Sequence, residues 1–154
     1  MSHSIDIALF EPQIPPNTGN ILRLCANTKS HLHLIEPMGF EINEKNLKRA
    51  ALDYITPGCF TLYPNIEAFF AKHQNKKIWC ASTKGSAPYH HTPFALGDIL
   101  LFGAETHGLP ENVLKKHPSI RIPMGPDQRS LNLSNSVAIV LYHALFQNNF
   151  PGLS

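Results

Sequence analysis

Charged side chains are scarce in this chain of 154 residues: Asp, Glu, Lys and Arg make up 16% of it, against about 25% in an ordinary soluble domain. An exterior so thinly charged predicts a surface partly covered by a second copy of the chain. With 13 Lys and Arg against 11 Asp and Glu, the slight positive balance neither demands nor excludes a nucleic-acid partner. Cysteine is sparse as well. Cys25, Cys59 and Cys80 are odd in number, far apart and set in apolar contexts such as "LRLCAN" and "IWCAS", which argues against a disulfide framework and predicts a reducing, cytoplasmic setting. No apolar run approaches the length of about 18 residues that a membrane-spanning helix needs. The N-terminal "MSHSIDIALFEPQIPPN" lacks the basic-then-apolar pattern of a secretory leader, so neither secretion nor a membrane is expected.

Several chemical signatures are missing too. There is no G-K-[ST] after a glycine loop and no G-x-G-x-x-G opening a helix, which disfavours nucleotide-phosphate cradling. No Ser sits in G-x-S-x-G, and Cys80 has no evident base, so hydrolase chemistry is not indicated. Nine His residues invite a metal, but adjacent His90 and His91 point apart and no carboxylate or Cys lies at ligand spacing. No metal is expected. Repeats, low-complexity segments and linkers are absent, which predicts one domain over residues 1–154.

What the sequence does have is regular punctuation by 13 Pro and 9 Gly, separating short apolar runs from amphipathic stretches. The runs at 5–10, 31–37, 78–83, 98–103 and 119–124 read as strands, several buried on both faces. Helical patterns fill 17–28, 43–55, 65–73, 110–117 and 132–148, the fourth with Pro110 placed in its first turn. Such alternation predicts an α/β fold with a mostly parallel sheet flanked by helices, and ligands at the carboxyl ends of the strands. Three loops rich in Asn, Gly, Ser or Pro fall there: 11–20, 103–110 and 123–136.

In "NTGNILR", Asn17 or Thr18 can cap a helix while Arg23 serves an anion or ribose near its start, or the stretch is an ordinary cap with a solvated Arg. In "LLFGAETHGLP", a tight turn with Gly103 and Gly108 carries Glu105 out of the sheet edge, either toward a ligand or as a plain loop carboxylate. In "RSLNLSNSVAIVLYHALF", small polar residues precede a helix with no consistent polar face, which predicts burial nearly all round. Its unpaired N–H groups then need partners, from Ser134, Asn135 and Ser136 or from a bound polar molecule beside Ser130.

Taken together and in this order, "NTGNILRLCANT", "LLFGAETHGLP" and "IRIPMGPDQRSLNLSNSVAIVLYHAL" resemble the three signature motifs of the SPOUT superfamily of RNA methyltransferases. With "FEPQIPPNTGN", "HLIEPMGF", "LDY" and "STKG", nearly the whole chain is similar to the small tRNA 2′-O-methyltransferases that modify the wobble nucleotide, position 34, of leucine tRNAs. The resemblance implies a C-terminal deep trefoil knot, an exception to the rule that chains avoid knots. It implies S-adenosyl-L-methionine as methyl donor, with S-adenosyl-L-homocysteine as product, held by Ala81, Thr83, Gly103, Glu105, Ile122, Met124, Ser130 and Leu131. It also implies a homodimer with the knots at its interface, and a tRNA substrate, cytidine or modified uridine at position 34.

Arg23, Asn17 and Asn135 are the implied catalytic residues, with Ser134 an alternative to Asn135. A guanidinium is a poor proton acceptor at neutral pH, so Arg23 is expected to orient the ribose or a phosphate rather than to act as base. Implied RNA contacts are Arg23, Lys84, Arg129 and Tyr142, with Lys45, Lys48 and Arg49 also available for phosphate. Two features depart from close relatives, which commonly read E-T-R-G in the glycine turn: His107 stands in place of that arginine, and the C-terminal "FQNNFPGLS" is short. Rival readings are 2′-O-methylation of another tRNA or ribosomal RNA nucleotide, whose enzymes often carry an extra domain, and a catalytically silent RNA-binding protein of the same fold.

Overall fold

The computed structural model describes residues 4–42 and 58–154; the helix expected over residues 43–55 and the basic residues Lys45, Lys48 and Arg49 lie outside them. Strand β1 (Asp6–Phe10) leads into helix α1 (Pro15–Thr28), then β2 (Leu32–Ile35) and β3 (Phe60–Tyr63). Helix α2 (Ile66–Lys72) precedes β4 (Ile78–Ala81), the two-residue β5 (Ala87–Pro88) and β6 (Ile99–Phe102). Helix α3 (Glu111–Lys116), β7 (Ser119–Arg121) and helix α4 (Leu133–Gln147) complete the order. The described strands form one sheet in the order β3-β2-β1-β6-β4-β7-β5, and every pairing is parallel.

The expected α/β architecture is therefore present, with bounds shifted by a few residues. Strands β3 and β5 were not anticipated. The β2 and β6 positions are all buried, as expected of strands covered on both faces; β6 is wholly apolar, whereas β2 buries the polar His33 as well. Side chains alternate between two cores: Ile7, Leu9, Leu34, Leu100 and Phe102 pack with α1 and α4, while Ala8, Phe10, Ile35, Leu101 and Phe69 pack on the α2 and α3 side.

Three helix expectations need correction. Helix α1 begins at Pro15 with Ile14 as its N-cap and no side-chain cap of its own, so neither Asn17 nor Thr18 caps it; two prolines pre-set the first turn instead. Pro110 is the N-cap residue of α3 rather than a first-turn residue. Helix α4 buries Leu133, Val137, Val140, Leu141, Ala144 and Leu145, but Ile139, Tyr142 and Phe146 are 38%, 44% and 66% exposed. It is thus not buried all round within one chain: these residues lie at i, i+3 and i+7 and form an apolar stripe facing outward.

A buried polar chain secures the β3 edge. The Asp6 carboxylate lies 3.1 Å from His33 Nε2, His33 Nδ1 lies 2.8 Å from the Tyr63 hydroxyl, and that hydroxyl lies 2.9 Å from His73 Nε2. With His33 neutral, its Nε2–H donates to Asp6, Nδ1 accepts from Tyr63, and Tyr63 accepts from His73. Burial, with the charges of Lys76 and Lys72 nearby, pushes the His73 imidazole down to about 4. Burial alone would raise Asp6, but its hydrogen bonds with His33 and the His31 amide outweigh that and hold it below its ordinary 3.8.

The sign follows. Because His73 is harder to protonate in the fold than in the unfolded chain, stability is lost as pH falls from about 6.5 to about 4, and Asp6 adds its loss only below that. Solvent screening of the half-exposed His73 limits its share to about 1 kcal/mol. Urea unfolding of wild type and His73→Gln at pH 7 and pH 4.5 should show a smaller acid loss in the variant by that amount. Equal losses would remove His73 from the pH dependence.

Candidate active site

A cavity of about 780 Å³ opens where β4, β6 and β7 end, at the carboxyl edge expected of an open α/β sheet. Its volume is that of a small-molecule site. Each expected cofactor-contacting residue lines it: Ala81 at the end of β4, Thr83 beyond, Gly103 and Glu105 after β6, Ile122 and Met124 after β7, and Ser130 and Leu131 before α4. Lys84, Arg129 and Asn17 line it as well. Arg23, Asn135 and Tyr142 are not among its lining residues; Arg23 is exposed on α1, and Tyr142 belongs to the outward stripe of α4.

The glycine turn is closed by a hydrogen bond from the Gly108 amide to the Ala104 carbonyl, at 2.9 Å, with Gly108 at φ +65, a conformation that favours glycine. This turn carries Glu105, which lines the cavity, to the start of α1. Its Oε1 accepts from the Gln13 amide at 2.9 Å, and its Oε2 accepts from the Ile14 amide at 2.9 Å and from Asn17 Nδ2 at 3.2 Å. Glu105 thus supplies the acceptors that the start of α1 lacks. Asn17 is 6% exposed, and its Oδ1 accepts from Asn132 Nδ2 at 3.2 Å.

Asn132 is the cap of α4. Its Oδ1 accepts from the Asn135 amide at 3.2 Å and from the Ser134 hydroxyl at 2.7 Å, while Ser136 Oγ donates to the Asn132 carbonyl at 3.1 Å. The expectation that Ser134, Asn135 and Ser136 side chains satisfy the helix start is therefore corrected: both serine hydroxyls donate, and one asparagine carbonyl does the capping. Asn132 was legible as an N-cap from its place before the apolar run. Arg121, which donates from Nη1 to the Gly85 carbonyl at 3.1 Å, lines the cavity too; its position in a strand offered no such signal.

The lining is chemically mixed. Ala81, Leu109, Ile122, Leu131 and Val140 contribute apolar surface, and Thr83, Ser130 and Asn132 contribute hydrogen-bonding groups. Lys84, Arg121, Arg129 and His107 gather positive or protonatable groups around the same space, with Thr106 Oγ1 2.9 Å from His107 Nδ1. Such a site suits a ligand with a flat apolar end and a polar end, next to something anionic. Burial pushes the Cys80 thiol up to about 12, so it supplies no thiolate at neutral pH. Among the described residues, no group of three or more His, Cys, Asp or Glu side chains could hold a metal ion.

Residues 4–142 match the SpoU rRNA methylase family. The chain belongs to that family. This SpoU methylase is 47% identical over 150 residues to a tRNA (cytidine(34)-2′-O)-methyltransferase of Methylovorus glucosotrophus (strain SIP3-4), covering 96% of this chain and 97% of that one. It is 47% identical over 151 residues to the protein of that name from Escherichia coli (strain K12), covering 96% of each. Among solved structures, one determined for the 2-OH methylation of C/U34 on tRNA superposes with a TM-score of 0.92 at 38% identity, over 96% of this chain and 97% of that one. The SpoU methyltransferase AviRb from Streptomyces viridochromogenes shares the fold, with a TM-score of 0.82 at 21% identity over 97% of this chain and 61% of its own.

Proposed function

We propose that this SpoU methylase transfers a methyl group from S-adenosylmethionine to the ribose 2′-hydroxyl of nucleotide 34, cytidine or modified uridine, in leucine tRNAs. The observation that carries this reading is the convergence of Ala81, Thr83, Gly103, Glu105, Ile122, Met124, Ser130 and Leu131 on one cavity, in a chain 47% identical to enzymes named for that nucleotide. The residues present fit the cofactor. Ile122 and Leu131 offer apolar surface for adenine, and Ser130 and Thr83 offer hydrogen bonds to a ribose and an amino-acid end.

When bound, the cofactor supplies an electrophilic methyl on a sulfonium. The protein's part is alignment of the hydroxyl with that methyl and removal of water from the cavity. Lys84 and Arg129 at the cavity draw in RNA phosphates, giving salt-dependent affinity. Tyr142 and its neighbours Ile139 and Phe146 form an apolar face that a second copy would cover, making a homodimer in which RNA held by one subunit meets the cavity of the other. The C-terminal segment is threaded as a deep trefoil knot, as the resemblance to the family implies. The enzyme works as one domain. No described helix is long and apolar enough to cross a membrane, and a cytoplasmic place beside tRNA follows from the substrate.

Purified protein incubated with labelled S-adenosylmethionine and total tRNA lacking the modification should place label on a 2′-O-methylated nucleoside at position 34 of leucine tRNA, read by digestion and mass spectrometry. Base methylation, or no transfer, refutes the reading; label on another nucleotide reassigns the substrate.

A further inference from the structure

We propose that Glu105 and Asn17 are positioning residues: with Asn132 they form a one-directional hydrogen-bond brace that locks α1 and α4 to the glycine turn, so that seating of the cofactor fixes the helix bearing Arg23. The proposal rests on the methyltransferase reading and assigns these side chains a task other than touching either substrate. Its basis is that both Glu105 oxygens and both polar atoms of the Asn17 amide already have partners within the protein. Pro15 and Pro16 carry no N–H, and Ile14 offers no side-chain acceptor, so the amides of Gln13 and Ile14 depend on a carboxylate that lies 92 and 91 residues further along the chain. A negative group there also complements the positive end of the helix.

The polarity of the brace is fixed at every link. Ionised Glu105 can only accept, so Asn17 must present Nδ2 to it and Oδ1 to Asn132. Asn132 must then donate from Nδ2, which leaves its Oδ1 for the Asn135 amide and the Ser134 hydroxyl. An amide flip at either asparagine would oppose like groups. With Asn17 6% exposed, water offers little compensation. Three segments remote in sequence are thereby held in one relation, and the carboxylate that ends the brace sits in the turn lining the cavity.

The test is Asn17→Asp, which replaces the donating amide by a carboxylate 3.2 Å from Glu105 Oε2. Two carboxylates that close resist ionising together, so the pair takes up one shared proton as the pH falls, and that proton recreates the missing donor. At pH 8 the variant should lose about 100-fold in kcat through misplacement, with KM for S-adenosylmethionine nearly unchanged. The Gln13 and Ile14 amides, followed by hydrogen exchange corrected for intrinsic rates, should lose protection.

Lowering the pH to 5.5 should restore both kcat and protection in Asn17→Asp, and neither in Asn17→Ala. Protection that ignores pH in Asn17→Asp overturns the brace, and protection that recovers without kcat overturns its positioning role. Wild type that never methylates tRNA, with acid-dependent protection still present in the variant, overturns the methyltransferase reading and leaves the brace standing.

Discussion

Gly103→Ala should cost about 3 kcal/mol of stability, at the top of the usual range for overpacking, and raise the dissociation constant for S-adenosylmethionine about 10-fold, the loss of roughly one hydrogen bond from the displaced turn. A Cβ built on Gly103 would stand 2.2 Å from the Gly108 carbonyl carbon, 2.4 Å from the Leu109 nitrogen and 2.5 Å from the Gly108 Cα. All three are backbone atoms, so no rotamer change relieves the clash and the turn itself must open. Opening it stretches the Gly108-to-Ala104 hydrogen bond and moves Glu105 away from the amides of Gln13 and Ile14. For a chain of this length, 3 kcal/mol corresponds to a fall in Tm of roughly 6–12 °C. Gly125→Ala is the control: its nearest neighbour is Gln128 Cγ at 3.8 Å, ordinary contact, and its melting temperature should match wild type. Calorimetric melting and titration of both variants check this. A Gly103→Ala protein that melts and binds as wild type does would show that the turn has slack the close contacts deny.

The same turn illustrates which features are legible in a sequence. Its glycines, its place after an apolar run and its carboxylate are local signals, and they locate the cavity because strand ends in a parallel sheet converge there. The partners of Glu105 are another matter. Nothing local to Gln13 or Ile14 announces an acceptor contributed from residue 105, and a local reading assigns the cap to Asn17 or Thr18, whose residue types favour that role. Tertiary contact decides otherwise. Strand β3 escapes notice for a similar reason: "FTLY" is short and enclosed between Gly58 and Pro64, and it becomes a strand by pairing with β2. Two-residue β5 exists only because β7 lies beside it. For α4, apolar periodicity indicates that most faces avoid water without saying what covers them, so the expectation of burial nearly all round takes in the outward stripe of Ile139, Tyr142 and Phe146.

Arg23→Ala should leave S-adenosylmethionine affinity within about twofold and lower kcat at least about 100-fold, the pattern of a lost interaction made chiefly in the transition state. Arg23 is exposed on α1 and lies outside the cavity lining, so its truncation removes no wall of the cofactor site and creates no void in the core. Its place outside that lining argues that it acts on the RNA, where a planar guanidinium can grip two oxygens of a ribose-phosphate unit at once. Arg23→Lys keeps the charge without the fork and should recover part of the rate. A residue that merely attracted phosphate would show a raised KM for tRNA, a shallower salt slope and little change in kcat. An orienting residue should show its loss in single-turnover rate at saturating tRNA, with Arg23→Lys between Ala and wild type. If Arg23→Ala instead abolishes binding of S-adenosylmethionine, the residue belongs to the cofactor site; if single-turnover rates match wild type, it takes no part in alignment. The brace through Glu105 and Asn17 predicts one further relation between these variants. Because Asn17→Asp at pH 8 acts by moving the helix that carries Arg23, adding Arg23→Ala to it should lower kcat by much less than it does in wild type, the non-additivity expected of residues acting as one unit.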